Sequence, residues 1–188
     1  FIWIVYGYQA NALSANPIQD ATQRTGRIAV LLLWISLTCT PLRNLLGLSA
    51  LIPIRKTLGL FSFFYAALHF LIFAVLDYEL NPVWIQAEFQ QKPFLRIGFF
   101  ALSILILLAL TSFRLIQKKM KIWWQRLHRL VYPLSILVVW HYYMASKGDF
   151  VIPLIYTMFF IVLMLLRLPP LSKISLSSKP RWLREVNK

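Results

Sequence analysis

Long runs without a charged side chain alternate along this chain with short stretches rich in polar and basic residues. The uncharged runs cover 28–42, 57–76, 97–113, 130–146 and 150–166. Each approaches the roughly 20 residues with which an α-helix crosses the hydrocarbon of a bilayer. None has the regular polar–apolar alternation of a barrel strand, and lipid offers no water to an open backbone, so the runs read as membrane-spanning helices. The run from Ile28 reaches full length only by taking in Thr25, Gly26 and Arg27. The opening stretch 1–8 is apolar too but too short to span. It lacks an initial methionine and reads as the tail of a helix whose start is missing. The expected architecture is an all-α polytopic membrane protein, a six-helix transmembrane bundle with a truncated first helix.

The intervening segments read as loops. Residues 11–23 carry the turn signal Asn16-Pro17, and 43–56 follow Pro41 and contain Pro53. Residues 77–92 hold Trp84 as an interfacial anchor, and 114–129 mix basic residues with Trp123 and Trp124, a composition suited to anionic lipid. Only 147–149 separate the last two runs, which predicts an antiparallel hairpin. Residues 1–168 then form one membrane domain and 169–188 a basic tail. No internal repeat of useful length stands out.

Composition strengthens the membrane reading. The chain has 188 residues, 59% hydrophobic and 14% charged, more apolar surface than a soluble domain of this size hides. Its net charge of +14 is distributed in a telling way. Arg43, Arg55 and Lys56; Arg114, Lys118, Lys119, Lys121, Arg126 and Arg129; and Arg167, Lys173, Lys179, Arg181, Arg184 and Lys188 all fall on one side if the spans alternate. Asp20, Asp77, Glu79, Glu88 and Asp149 fall on the other. The positive-inside rule makes the basic side, and with it both chain ends, cytoplasmic. Nucleic acid is not an expected partner, because the basic residues are spread over loops rather than gathered on a recognition element. The single Cys39 excludes an internal disulfide, a CxxCH haem attachment and a four-cysteine cluster, and reads as apolar filler.

Three histidines remain, and two lie deep in uncharged runs. His69 is about 12 residues from the basic end of its run, roughly 18 Å along a helix axis, and His141 is about 13 residues beyond His128, roughly 20 Å. Two imidazoles at one level on helices running the same way can grip one haem iron from opposite faces, each using its second nitrogen on a carbonyl or hydroxyl. Ala66 beside His69, with Tyr65 and Phe73 near, would admit a flat macrocycle. His128 lies at the boundary between Arg126 and Arg129 and has two readings, ligand to a second haem or contact with the interface and lipid headgroups. On a straight helix it stands some 140° from His141 in azimuth, and a second bis-histidine haem would need a fourth histidine. Zinc hydrolysis wants clustered ligands, ion transport wants acidic residues within spans, and no GxGxxG element is present to bind a nicotinamide cofactor.

The segments Leu58-Gly59-Leu60 through Tyr65-Ala66-Ala67-Leu68-His69, and Trp124-Gln125-Arg126-Leu127-His128-Arg129-Leu130-Val131-Tyr132 followed by His141-Tyr142, resemble the MsrQ/YedZ family. Thr25-Gly26-Arg27 and Thr40-Pro41-Leu42 match its pattern as well. This family of haem-binding membrane subunits belongs with the ferric-reductase-like transmembrane domains. The resemblance implies an inner-membrane cytochrome b carrying one or two haems b, with His69, His128 and His141 as the haem-associated histidines. It also implies electrons from the quinone pool or a cytoplasmic flavin reductase. The acceptor would be a periplasmic molybdopterin-containing methionine sulfoxide reductase, on which the sulfoxide chemistry itself would occur. An associated FMN is implied too, on no assignable residues. The rival expectations are a ferric or quinone reductase core with another acceptor, and a haemless transporter or scaffold.

Overall fold

The computed structural model describes residues 16–47, 50–146, 148 and 150–167. The stretch 1–8 and the tail 169–188 lie outside them, and so does the expectation of a truncated first helix. All regular structure among the described residues is helical: α1 Pro17–Leu46, α2 Leu51–Leu71, α3 Pro82–Gln91, α4 Pro93–Leu110, α5 Arg114–Met120, α6 Ile122–His128, α7 Val131–Ala145 and α8 Val151–Leu165. Helix α2 continues into a π-helical segment, Ile72–Asp77. By length and hydropathy Pro17–Asn44, Leu51–Asp77 and Pro93–Leu110 are each able to cross a membrane, and Val151–Leu165 is a shorter apolar helix.

Several loop expectations give way to helix. Residues 17–23 form the first turns of α1 rather than part of a loop. Asn16 caps the helix through its side chain, which accepts from the Gln19 N–H, and Pro17 follows with its φ already suited to a helix. Asp20 then pairs with Arg24 one turn on, and Thr22 and Thr25 turn their hydroxyls back onto the Ile18 and Ala21 carbonyls. At the other end α1 runs through Pro41 to Leu46. It stops where Gly47 takes a left-handed φ of 78° and donates to the Arg43 carbonyl. The segment 77–92 contains α3, capped by the Asn81 side chain on the Val83 and Trp84 N–H groups. The basic segment 114–129 is two short helices, α5 and α6.

Two antiparallel pairs dominate the packing, α1 against α2 and α4 against α7. Between them lies the core, where Leu33, Trp34 and Leu37 of α1 meet Ala101, Leu105 and Leu108 of α4, Leu134 of α7 and Leu163 of α8. The outward surface is apolar: Leu31, Phe61, Phe64, Phe100, Leu154 and Met158 are all exposed, as a lipid-facing surface requires. Several polar side chains within the spans are satisfied locally or across the pair. Ser36 donates to the Arg55 carbonyl and Ser62 to the Ala29 carbonyl, both at 2.8 Å between α1 and α2. Replacing Ser62 with alanine is expected to destabilise the α1–α2 pair by only about 0.6 kcal/mol, measured by reversible unfolding in detergent, because the Ala29 carbonyl is left no worse off than in its own helix.

The two pairs share one local arrangement, a histidine set against a carbonyl and a glycine of the facing helix at the same spacing. A shift of 72 positions carries Gly26 to Gly98, Ala29 to Ala101, Leu33 to Leu105 and His69 to His141. The matching alanines and leucines are all buried, and so are Ser62 and Leu134, which occupy another matching place. Such identities, scattered over more than forty residues, are hard to see in the sequence. Packing makes them visible.

Candidate functional site

His69 stands on α2 and His141 on α7, each partly buried. The Nδ1 of His69 lies 2.7 Å from the Thr22 carbonyl on α1, and the Nδ1 of His141 lies 2.8 Å from the Phe94 carbonyl on α4. A carbonyl oxygen only accepts, so each Nδ1 carries the proton and donates. Each Nε2 is then the nitrogen with a free lone pair. The two rings come together with centroids 6.1 Å apart and planes at 85°. Metal–imidazole bonds of about 2 Å to one nitrogen of each ring, from opposite sides of an ion, place the ring centres roughly 6 Å apart. The separation therefore suits one ion between the rings.

Room at each histidine comes from a glycine on the facing helix. A Cβ on Gly26 would sit 3.0 Å from Nδ1 of His69, and one on Gly98 would sit 2.7 Å from Cε1 of His141. An aromatic group follows in sequence and space: Phe70 contacts Phe73 and Phe99, and Phe99 contacts Phe89. No three His, Cys, Asp or Glu side chains gather into a metal-holding group among the described residues.

His128 does not join them. The chain breaks out of regular helix between His128 at the end of α6 and Val131 at the start of α7, so the straight-helix azimuth does not apply. Its ring lies over Trp124, centroids 4.1 Å apart, with Nδ1 3.2 Å from that residue's carbonyl. Trp124 in turn donates its indole N–H to the Thr111 carbonyl beyond α4. Burial holds the His128 pKa below its ordinary value, and the positive Arg55 adds to the effect. Nearby, Arg167 reaches from the end of α8 to the Tyr132 hydroxyl at 3.0 Å and to the Leu37 carbonyl. Arg55 donates to Thr40 at 3.1 Å beside a cavity of about 100 Å³ that Arg43 and Cys39 also line. Cys39 is buried, as filler should be.

Most of the two helix pairs falls within a known domain, with His69 inside the matched range and His141 two residues beyond it. Residues 25–139 match the family described as ferric reductase like transmembrane component. The chain is also 38% identical over 148 residues to the protein-methionine-sulfoxide reductase heme-binding subunit MsrQ of Bordetella pertussis, covering 78% of this chain and 72% of that protein. Against the subunit of the same name from Xanthomonas axonopodis pv. citri it is 38% identical over 156 residues, 82% of this chain and 71% of that one. No solved structure gives a significant match. The chain belongs to the MsrQ family of ferric-reductase-like transmembrane proteins, and it is a membrane protein.

The histidines stand out in the sequence, whereas the groups that orient them do not. The Thr22 and Phe94 carbonyls leave no mark in a sequence. Gly26 belongs to the Thr25-Gly26-Arg27 pattern, but Gly98 sits in no pattern of its own, and the 72-position shift is the signal that links the two. Trp124, by composition an interfacial residue, carries the His128 ring.

Proposed function

We propose that this chain is a cytochrome b subunit in which His69 and His141 hold one haem between the two helix pairs. The observation that carries the reading is the 6.1 Å separation of two rings whose Nδ1 atoms are both committed to helix carbonyls. His69 and His141 would hold the iron, and a porphyrin would supply the further ligands, since no group of three His, Cys, Asp or Glu gathers among the described residues. When bound, the haem supplies a one-electron centre. Held by both histidines, the iron would have no open site for substrate, which would suit electron relay rather than catalysis on the iron. The chain keeps the ligands dry, fixes their tautomer and sets their angle.

The relatives' name puts them in a protein-methionine-sulfoxide reductase system. We accordingly read the acceptor as a periplasmic molybdopterin-dependent methionine sulfoxide reductase and the donor as the quinone pool or a cytoplasmic flavin reductase. The basic ends of the helices then face the cytoplasm of a bacterial inner membrane. Each sulfoxide reduced takes two electrons and two protons. The electrons would pass singly through this chain, and the protons would be taken up at the partner.

The test is reoxidation. Dithionite-reduced protein in liposomes is mixed with the purified periplasmic reductase of the same organism and methionine sulfoxide. Two haem equivalents should be oxidised per sulfoxide consumed. Haem that stays reduced with all components present, but reoxidises with ferric chelates or quinone, would move the assignment to a reductase with another acceptor. His128 has no second histidine within its grouping, so His128→Ala should leave the low-spin spectrum of the His69–His141 haem intact. A loss of haem equal to that of the His69 variant would put His128 among its ligands instead.

A further inference from the structure

We propose that Gly26 and Gly98 are paired positioning residues: each lets a histidine of the facing helix donate its Nδ1–H to the carbonyl four residues before the glycine, so that both imidazoles present Nε2. The purpose of the device rests on the haem reading; its geometry does not.

In an α-helix the carbonyl of residue i−4 lies against the N–H of residue i on one face. Thr22 and Gly26 stand in that relation on α1, and Phe94 and Gly98 on α4. A ring that reaches such a carbonyl from outside must cross the Cα of the residue above it. Any side chain there is in the way. The sequence distance between carbonyl and histidine is 47 residues in both pairs, so the same device occurs twice. At Gly98 an added Cβ would stand 2.7 Å from Cε1 and 2.8 Å from Nδ1 of His141. At Gly26 it would stand 3.0 Å from Nδ1 and 3.2 Å from Cε1 of His69. Neither ring can retreat far without losing a hydrogen bond of 2.7–2.8 Å.

The duller explanation is that glycine lets membrane helices approach closely, as small residues generally do. Gly59 is the internal comparison. It sits on α2, where a Cβ would meet only Ser36 Oγ at an ordinary 3.6 Å. Glycine is a poor helix former, so its presence at Gly26 and Gly98 opposes helix stability. The contact it permits at both places is with an imidazole and not with a backbone.

The experiment compares Gly26→Ala, Gly98→Ala and Gly59→Ala with the wild type, first without haem. Histidine-selective ¹⁵N NMR of the apoprotein in micelles reads the tautomer directly. Wild type and Gly59→Ala should show His69 and His141 protonated on Nδ1. Gly98→Ala should shift His141 toward the other tautomer, and Gly26→Ala should do the same to His69 to a smaller degree. With haem added, Gly98→Ala should bind it several-fold less well at limiting haem, or show a changed ferric low-spin signal, while Gly59→Ala matches wild type. If Gly98→Ala fails to accumulate, the looser Gly26→Ala carries the same readout. Wild-type tautomers in both Gly26→Ala and Gly98→Ala overturn the proposal, as do equal losses in Gly59→Ala. A wild-type protein that takes up no haem overturns the functional reading instead, and the tautomer result still decides this one.

Discussion

Replacing either His69 or His141 with alanine is expected to abolish the low-spin b-type spectrum of the purified protein. The two positions should be equivalent, because the geometry around them is equivalent: one carbonyl, one glycine and one imidazole from each helix pair. A single remaining imidazole leaves one axial position open, so residual haem would be high-spin and able to bind added imidazole or carbon monoxide. The protein itself should remain folded. Neither ring belongs to the central core of Trp34, Leu37, Leu134 and Leu163, and removing a histidine leaves its carbonyl partner bonded within its helix. The check is an absorption spectrum alongside size-exclusion elution. A wild-type spectrum in either variant would remove that residue from the site.

Trp34→Ala should cause the largest loss of stability, about 3 kcal/mol. Trp34 is 1% exposed and stacks on Phe160 of α8 with ring centroids 5.2 Å apart. Within a membrane no hydrophobic force drives one helix against another, so α8 is held by packing and by hydrogen bonds. The stack on Trp34 and the Arg167 contacts with Tyr132 and the Leu37 carbonyl are prominent among its attachments to the rest of the bundle. Removing the indole leaves a cavity at that seam. Trp34→Phe should cost less than about 1 kcal/mol, because it keeps a ring on Phe160 and deletes an indole N–H that is buried without a hydrogen-bond partner among the described residues. The single, buried Cys39 reports the result through its reaction with a thiol dye on heating. The alanine variant should expose it at a temperature lower by roughly 5–10 °C, and the phenylalanine variant within a degree or two of wild type. Equal shifts in the two variants would mean that the stack does not hold α8.

Much of this arrangement is legible in the amino-acid sequence. Hydrocarbon rejects charge, so the uncharged runs mark helices and a lone histidine inside one stands out. Depth along the helices brings His69 and His141 to one level, because two regular helices running the same way need only residue counts. Where helices end is less legible. The polar first turns of α1 look like a loop in composition, yet Asn16, Pro17 and the Asp20–Arg24 pair make them helix at a membrane boundary. Pro41 has the look of a stop and is accommodated inside α1. A straight helix through His128 and His141 is the natural reading of their spacing, and a break at 129–130 separates them. The hydrogen bonds that orient the rings go to backbone, which every residue possesses, so residue types alone do not reveal them. Only the glycines opposite the rings carry a sequence trace, and it is a faint one.

The central claim is that one iron sits between His69 and His141. Its most direct test is the ferric electron paramagnetic resonance spectrum of purified protein, recorded with an oxidised-minus-reduced optical spectrum and haem per polypeptide. If both histidines held an iron with their planes at 85°, as they stand here, two iron d orbitals would be nearly equal in energy. The expected result is therefore a low-spin b-type haem with a strongly anisotropic signal, at one equivalent that both histidines are needed to retain. Folded, haem-supplied protein without haem, or with only high-spin haem, would contradict it.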